Sequence, residues 1–174
     1  SYIWNIQGVT RLYAGGRPQE YKGVKLTGVP TCHGGDTTYR NNFIGIEADG
    51  IRVWHTGDNG QVLNDKQLAQ IGRVDILLTN WDDDSLEMSF DVLDRVLDQL
   101  KPKVVIPMHH VLVDEFMTKR KNFIDHRKDN VSEIEFKANT IPSEMHVILL
   151  KPSLGNPIDF FDPAAYADSK MKAE

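Results

Sequence analysis

A mixed α/β (α+β) fold, forming one domain whose sheet is covered by helices on one face, is what this sequence predicts. Three observations predict it. Strand-like segments are spread through all 174 residues, with no internal repeat and no long linker. The first half reads as strands joined by tight turns. The second half alternates apolar strand with amphipathic helix, the order expected of hairpins followed by βαβα units. An apolar fraction of 40% suffices for a core, and 26% charged residues suit a solvated surface.

The elements follow in order. Residues 2–9 and 10–14 are β-rich, with Tyr2, Ile3 and Trp4 the first apolar side chains. Ser1 opens the chain where an initiator Met would stand, which fits tag removal, processing or a missing upstream segment. Residues 24–31 alternate apolar and polar, the period of a half-buried strand, and run into Cys32-His33-Gly34-Gly35. Residues 42–47 and 51–55 read as a hairpin about Asp49-Gly50, two residue types that tolerate the positive φ of a two-residue turn. Asn64 can cap a short helix running to residue 71. Residues 74–78 are a buried-type strand. Residues 89–100 make the clearest helix: Phe90, Leu93, Val96, Leu97 and Leu100 recur at three- and four-residue spacing, Ser89 can cap it and Pro102 stops it. Residues 104–108 are a second continuous apolar strand. Residues 113–126 read as a helix with Phe116, Met117, Phe123 and Ile124 inward, and residues 134–136 and 145–150 as the last strands. The tail, residues 152–174, reads as loosely ordered.

Composition excludes some function classes. A formal charge of -5 argues against a general nucleic-acid binder, whose footprint is basic. The short run Lys119-Arg120-Lys121 reads as a solvated helix face. A single cysteine, Cys32, leaves no internal disulfide and fits a reducing cytoplasm, the expected location. No apolar run approaches the roughly 20 residues that cross a bilayer, and the start has no signal-peptide pattern, so no membrane partner is expected.

Three segments place a potential metal ligand just beyond a strand: Cys32-His33-Gly34, Thr56-Gly57-Asp58 and Ile106-Pro107-Met108-His109-His110. A strand end is a rigid platform. Glycines on both sides of Asp58 let the backbone bend sharply and leave the carboxylate exposed, either as a metal ligand or as an ordinary Asp-Asn-Gly turn residue. His109 follows a fully apolar strand, where a neutral imidazole can bind a metal through one nitrogen or sit as a hydrogen-bonded core histidine. His110 is adjacent and points elsewhere. Cys32 and His33 face opposite ways, so Cys32 reads as a small buried residue. Asp36, His55 and His110 are accessory candidates, His55 lying inside a strand next to the site. His146 reads as structural. Trp81-Asp82-Asp83-Asp84 reads as a solvated loop bordering the site.

The order of these segments resembles the metallo-β-lactamase superfamily, in its broad metal-dependent, lactonase-like hydrolase branch. There a strand ending in a His-Gly turn is followed by a hairpin and a Gly-Asp turn, and after a further αβ unit by an Ile-Pro-x-His element. Residues 24–112 carry the likeness, including Val74-Asp75-Ile76-Leu77-Leu78 and Leu100-Lys101-Pro102-Lys103-Val104-Val105. The resemblance implies an αββα sandwich of two similar halves, incomplete here at the N-terminus. It also implies His33 and His109 as terminal metal ligands, Asp58 as the bridging carboxylate, a divalent ion (zinc first, manganese or iron otherwise) and hydrolysis of a small molecule. Lactones, phosphodiesters, thioesters and β-lactams are all within its range. One departure matters. The family's other ligands come from an upstream His-x-His-x-Asp-His motif, and no pair among the six histidines has His-x-His spacing. Truncation, loss of catalysis, or ligands from a partner chain would each account for this, and truncation is expected because the early strands would otherwise leave an open edge. A homo-oligomer is expected, with little hydrolysis by the single chain and any metal weakly held or absent in it. A non-catalytic domain of the same fold, acting in self-association or protein binding, is the alternative. An unrelated small-molecule binder would make the three segments coincidence.

Overall fold

Successive side chains on a strand point to opposite faces, and this sheet therefore buries two separate sets of residues. The computed structural model describes residues 17–33, 40–81, 88–110, 120 and 122–151, with the backbone alone for 81, 109 and 110. In chain order the described elements are β1 (Gln19–Tyr21), β2 (Val24–Cys32), β3 (Arg40–Ala48), β4 (Ile51–His55), α1 (Asp65–Ile71), β5 (Ile76–Trp81), α2 (Phe90–Leu100), β6 (Val104–His110), β7 (Phe123–Asp125) and β8 (His146–Leu149). They build one eight-stranded sheet in the order β1-β2-β3-β4-β5-β6-β8-β7. The pairs from β1 to β4 are antiparallel, and those from β4 onward are parallel. This is the mixed sheet of hairpins followed by βαβ units that the sequence predicts.

Local chemistry sets the boundaries. Asp49 and Gly50 turn β3 into β4 at φ of 50° and 78°, the left-handed pair that matches strand twist. Asn64 caps α1 in a reciprocal box: its Oδ1 accepts the Gln67 N–H at 3.0 Å, and Gln67 Oε1 accepts the Asn64 N–H at 2.9 Å. Gln67 Nε2 also donates to the Pro30 carbonyl at 2.8 Å, tying the helix to β2. Ser89 caps α2, and Lys101 closes it in the left-handed region.

The main core lies between the sheet and its helices. Val29, Phe43, Trp54, Leu77, Val105 and Val147 face Ile71 of α1 and Leu93, Val96, Leu97 and Leu100 of α2. Gly45 makes room for the indole, since a Cβ there would lie 2.7 Å from the Trp54 ring. On the opposite face, Ile76, Val104 and Ile148 form a second cluster with Val53, Leu78, Ile106, Phe136 and Ile141. β5, β6 and β8 are covered on both faces, which is why they read as continuous apolar runs.

Several expectations are corrected. The predicted helix over residues 113–126 does not extend through its C-terminal part: Phe123–Asp125 is β7, paired in parallel with β8. Phe123 packs on the core while Ile124 is 38% exposed, the alternation of a strand rather than of a helix face. Residues 134–136 form no strand; Phe136 instead packs against the second cluster. Cys32 is half-buried and free rather than fully buried. Arg120 is not on a solvated face: its side chain is 20% exposed and pairs with Asp94 of α2. Trp81 ends β5 instead of opening a loop. The strands expected at 2–14, the remainder of the Trp81 segment at 82–84, Asp36 and the tail lie outside the described residues. No helix among the described residues is long and apolar enough to cross a membrane.

Candidate metal centre

Because β3 runs antiparallel to both β2 and β4, while β5 and β6 run parallel to β4, the C-terminal ends of β2, β4, β5 and β6 share one edge of the sheet. His33 stands at the end of β2 and Asp58 three residues past β4. The backbone of His109 and His110 lies in the last turn-ward residues of β6 rather than beyond it. The side chains of His109 and His110 are outside the described residues.

After β4 the chain bends across the start of β3 and pairs with the end of β2. The Gly60 N–H donates to the Cys32 carbonyl at 3.0 Å, and His33 and Asn59 form an isolated antiparallel bridge. That excursion brings two of the expected ligands together: His33 Nε2 lies 4.0 Å from Asp58 Oδ2. The carboxylate side chain is 63% exposed and the imidazole 30%. Two donors on one zinc ion sit roughly 3.3 Å apart at ordinary bond lengths, so a small side-chain rotation would bring this pair onto one cation. The donor set, one imidazole and one carboxylate, fits a divalent ion. Among the described residues no third His, Cys, Asp or Glu joins them.

Three neighbouring strands hold the turn that carries Asp58. The Thr56 N–H donates to the Leu78 carbonyl of β5 at 2.9 Å. The Gly57 N–H donates to His55 Nδ1 at 2.8 Å. The Asp58 N–H donates to Asn41 Oδ1 of β3 at 3.1 Å. Since His55 Nδ1 accepts, the neutral ring carries its proton on Nε2. Burial lowers the His55 pKa below its usual value, against an opposing pull from the Asp58 charge. His55 is thus a support of the turn, not a ligand facing His33. Behind it lies a buried polar layer of Thr31, Thr56, Asn59, Thr79 and Asn80, with the Thr56 hydroxyl 3.0 Å from Asn80 Oδ1. Buried polar side chains carry a cost unless hydrogen-bonded.

Sequence reasoning singled out His33, Asp58 and His55 and passed over Asn41, Thr31 and Asn80, whose hydrogen bonds surround the turn. The signals were present. Asn41-Asn42 is a polar pair near the start of an apolar strand, and Thr79-Asn80 one near the end of another.

A family model described as a beta-lactamase superfamily domain matches residues 2–109, a span that takes in His33, Asp58 and His109. A UPF0173 metal-dependent hydrolase of Archaeoglobus fulgidus is 30% identical over 138 residues, covering 74% of this chain and 54% of that protein. One of the same name from Carboxydothermus hydrogenoformans is 38% identical over 96 residues, covering 50% of this chain and 40% of the other. The chain spans about half the length of the relatives it matches. In three dimensions it is similar to a Thermotoga maritima protein assigned to the metallo-β-lactamase superfamily as a Zn-dependent hydrolase. The TM-score is 0.67 at 28% identity, over 80% of this chain and 71% of the other.

Proposed function

Because this chain belongs to the metallo-β-lactamase superfamily, we propose that it carries part of a hydrolytic divalent-metal centre, with His33, Asp58 and His109 as ligands. The observation that supports this reading is the approach of His33 Nε2 to Asp58 Oδ2, 4.0 Å apart although they are 25 residues apart in the chain. Relatives named metal-dependent hydrolases support the chemistry. A bound divalent ion would supply a water of lowered pKa and polarise the scissile bond of a small-molecule substrate. The chain's own residues supply the platform. His55 and Asn41 hold the turn, Asp58 and His33 face each other across it, and His110 and Asp36 are the accessory candidates. Zinc is the ion that mixed imidazole and carboxylate donors suit first, with manganese and iron next. The half-length match and the lack of any His-x-His pair support a portion of a longer hydrolase with little activity alone.

Metal stoichiometry tests this. The chain is incubated with zinc or manganese and desalted, beside Asp58→Ala and a His33→Ala/His109→Ala double variant. Metal retained by the parent and lost from both variants is the expected result. Equal retention in all three would remove these residues from the centre.

A second reading, a non-catalytic domain of this fold that self-associates, is favoured by one feature. Ile46 and Met108, on the face away from the helices, are 38% and 53% exposed.

A further inference from the structure

We infer that Asn41 is the residue that positions the Asp58 carboxylate for the metal, an inference that rests on reading His33 and Asp58 as ligands. Asp58 is mostly exposed, so the direction of its side chain has to come from its backbone. Asn41 sets that backbone. Its Oδ1 accepts the Asp58 N–H at 3.1 Å, and its Nδ2 donates to the Thr56 carbonyl at 2.7 Å and to Thr31 Oγ1 at 2.7 Å. An Asn side chain carries both an acceptor and two donors, and here all are spent at one place.

The geometry has two consequences. The amide grips the chain on both sides of Gly57, which stands at φ 58°. A Cβ on Gly57 would collide with Asn41 Oδ1, so the turn is shaped around this side chain and leaves no space for another at position 57. Asn41 also lies on β3, between β2 and β4. Its bond to Thr31 reaches the strand that ends at His33, and its bonds to Thr56 and Asp58 reach the turn after β4. One side chain therefore ties together the strand that leads into His33 and the turn that carries Asp58, two of the three proposed ligands. A metal site gains affinity when its ligands are ordered before the ion arrives, and residues that only orient ligands typically account for about a ten- to hundred-fold effect on it.

The test measures two quantities on the full chain and on Asn41→Ala: zinc affinity of the folded protein by titration, and hydrogen exchange at the Asp58 amide in the metal-free state. Zinc binding weakened by about ten- to a hundred-fold, with faster exchange at Asp58, is the expected result. A residue that serves stability alone would lower the melting temperature and leave the zinc affinity of the folded protein unchanged, and that outcome overturns the inference. If the parent chain binds no zinc, the ligand reading fails by itself. Asn41 is then judged by exchange: faster exchange upholds its hold on the turn, and unchanged exchange overturns it. Should Asn41→Ala not fold, Thr31→Val, which removes one of the three bonds, decides by the same two readouts.

Discussion

His55 shows how a single residue can be read correctly as near a site and still have its task decided by one hydrogen bond. As an isolated histidine inside a strand it reads as an accessory candidate and no more. Its Nδ1 accepts the Gly57 N–H at 2.8 Å, which makes it part of the scaffold of the Asp58 turn. Burial lowers its pKa from 6.5. In acid the unfolded chain takes up a proton at this position before the folded protein does. The stability that the neutral ring contributes is therefore complete above pH 6.5 and is lost as pH falls through the lower folded value. The melting temperature should drop between pH 7.5 and pH 5, and the drop should shrink in His55→Asn, whose side-chain oxygen can still accept from Gly57. An identical pH profile for parent and variant would take His55 out of the account.

Among the elements, α2 was the most legible. Its apolar spacing, Ser89 cap and Pro102 stop all came from local sequence, and the helix runs Phe90–Leu100 as expected. Its end holds a detail that sequence did not mark. Lys101 closes the helix at φ 47°, with its N–H donating to the Leu97 carbonyl at 2.8 Å. A side chain in that region costs about 1–2 kcal/mol relative to the right-handed form, whereas glycine is indifferent. Lys101→Gly should therefore stabilise the protein by up to about 1 kcal/mol, read as a rise in melting temperature; a fall would show that the Lys101 side chain contributes more than its backbone costs. β7 was the least legible element. A three-residue strand has too few positions to display a period, and the Val147 N–H bond to the Asn122 carbonyl at 2.8 Å comes from a partner more than 20 residues away.

For the whole molecule, the asymmetry between the two sheet faces is the main feature. One face is closed by α1 and α2 over a continuous buried core. The other carries a smaller cluster, with Ile46 and Met108 at 38% and 53% exposure. Exposed apolar residues on a sheet face are a surface on which another layer can pack. If copies of this chain meet there, sedimentation should show a species heavier than the 19.7 kDa chain, and Ile46→Asp should shift it to the monomer. A parent chain that sediments as a monomer at tens of micromolar would remove the self-association reading.

The sequence by itself determined the fold class, the hairpin at Asp49-Gly50, both helix caps, the place of His33 at the end of a strand and that of Asp58 in the turn after one. Each of these depends on interactions within a few residues: a side-chain period, a cap, or a turn that needs positive φ. Only the tertiary structure decided that Asp58 returns across β3 to lie 4.0 Å from His33, and that Asn41 and His55 hold it there. Asn41 reaches Asp58 across 17 residues and Thr31 across 10. Bonds of that span leave no periodic trace in a sequence, because they exist only once the strands have paired and set the register between them.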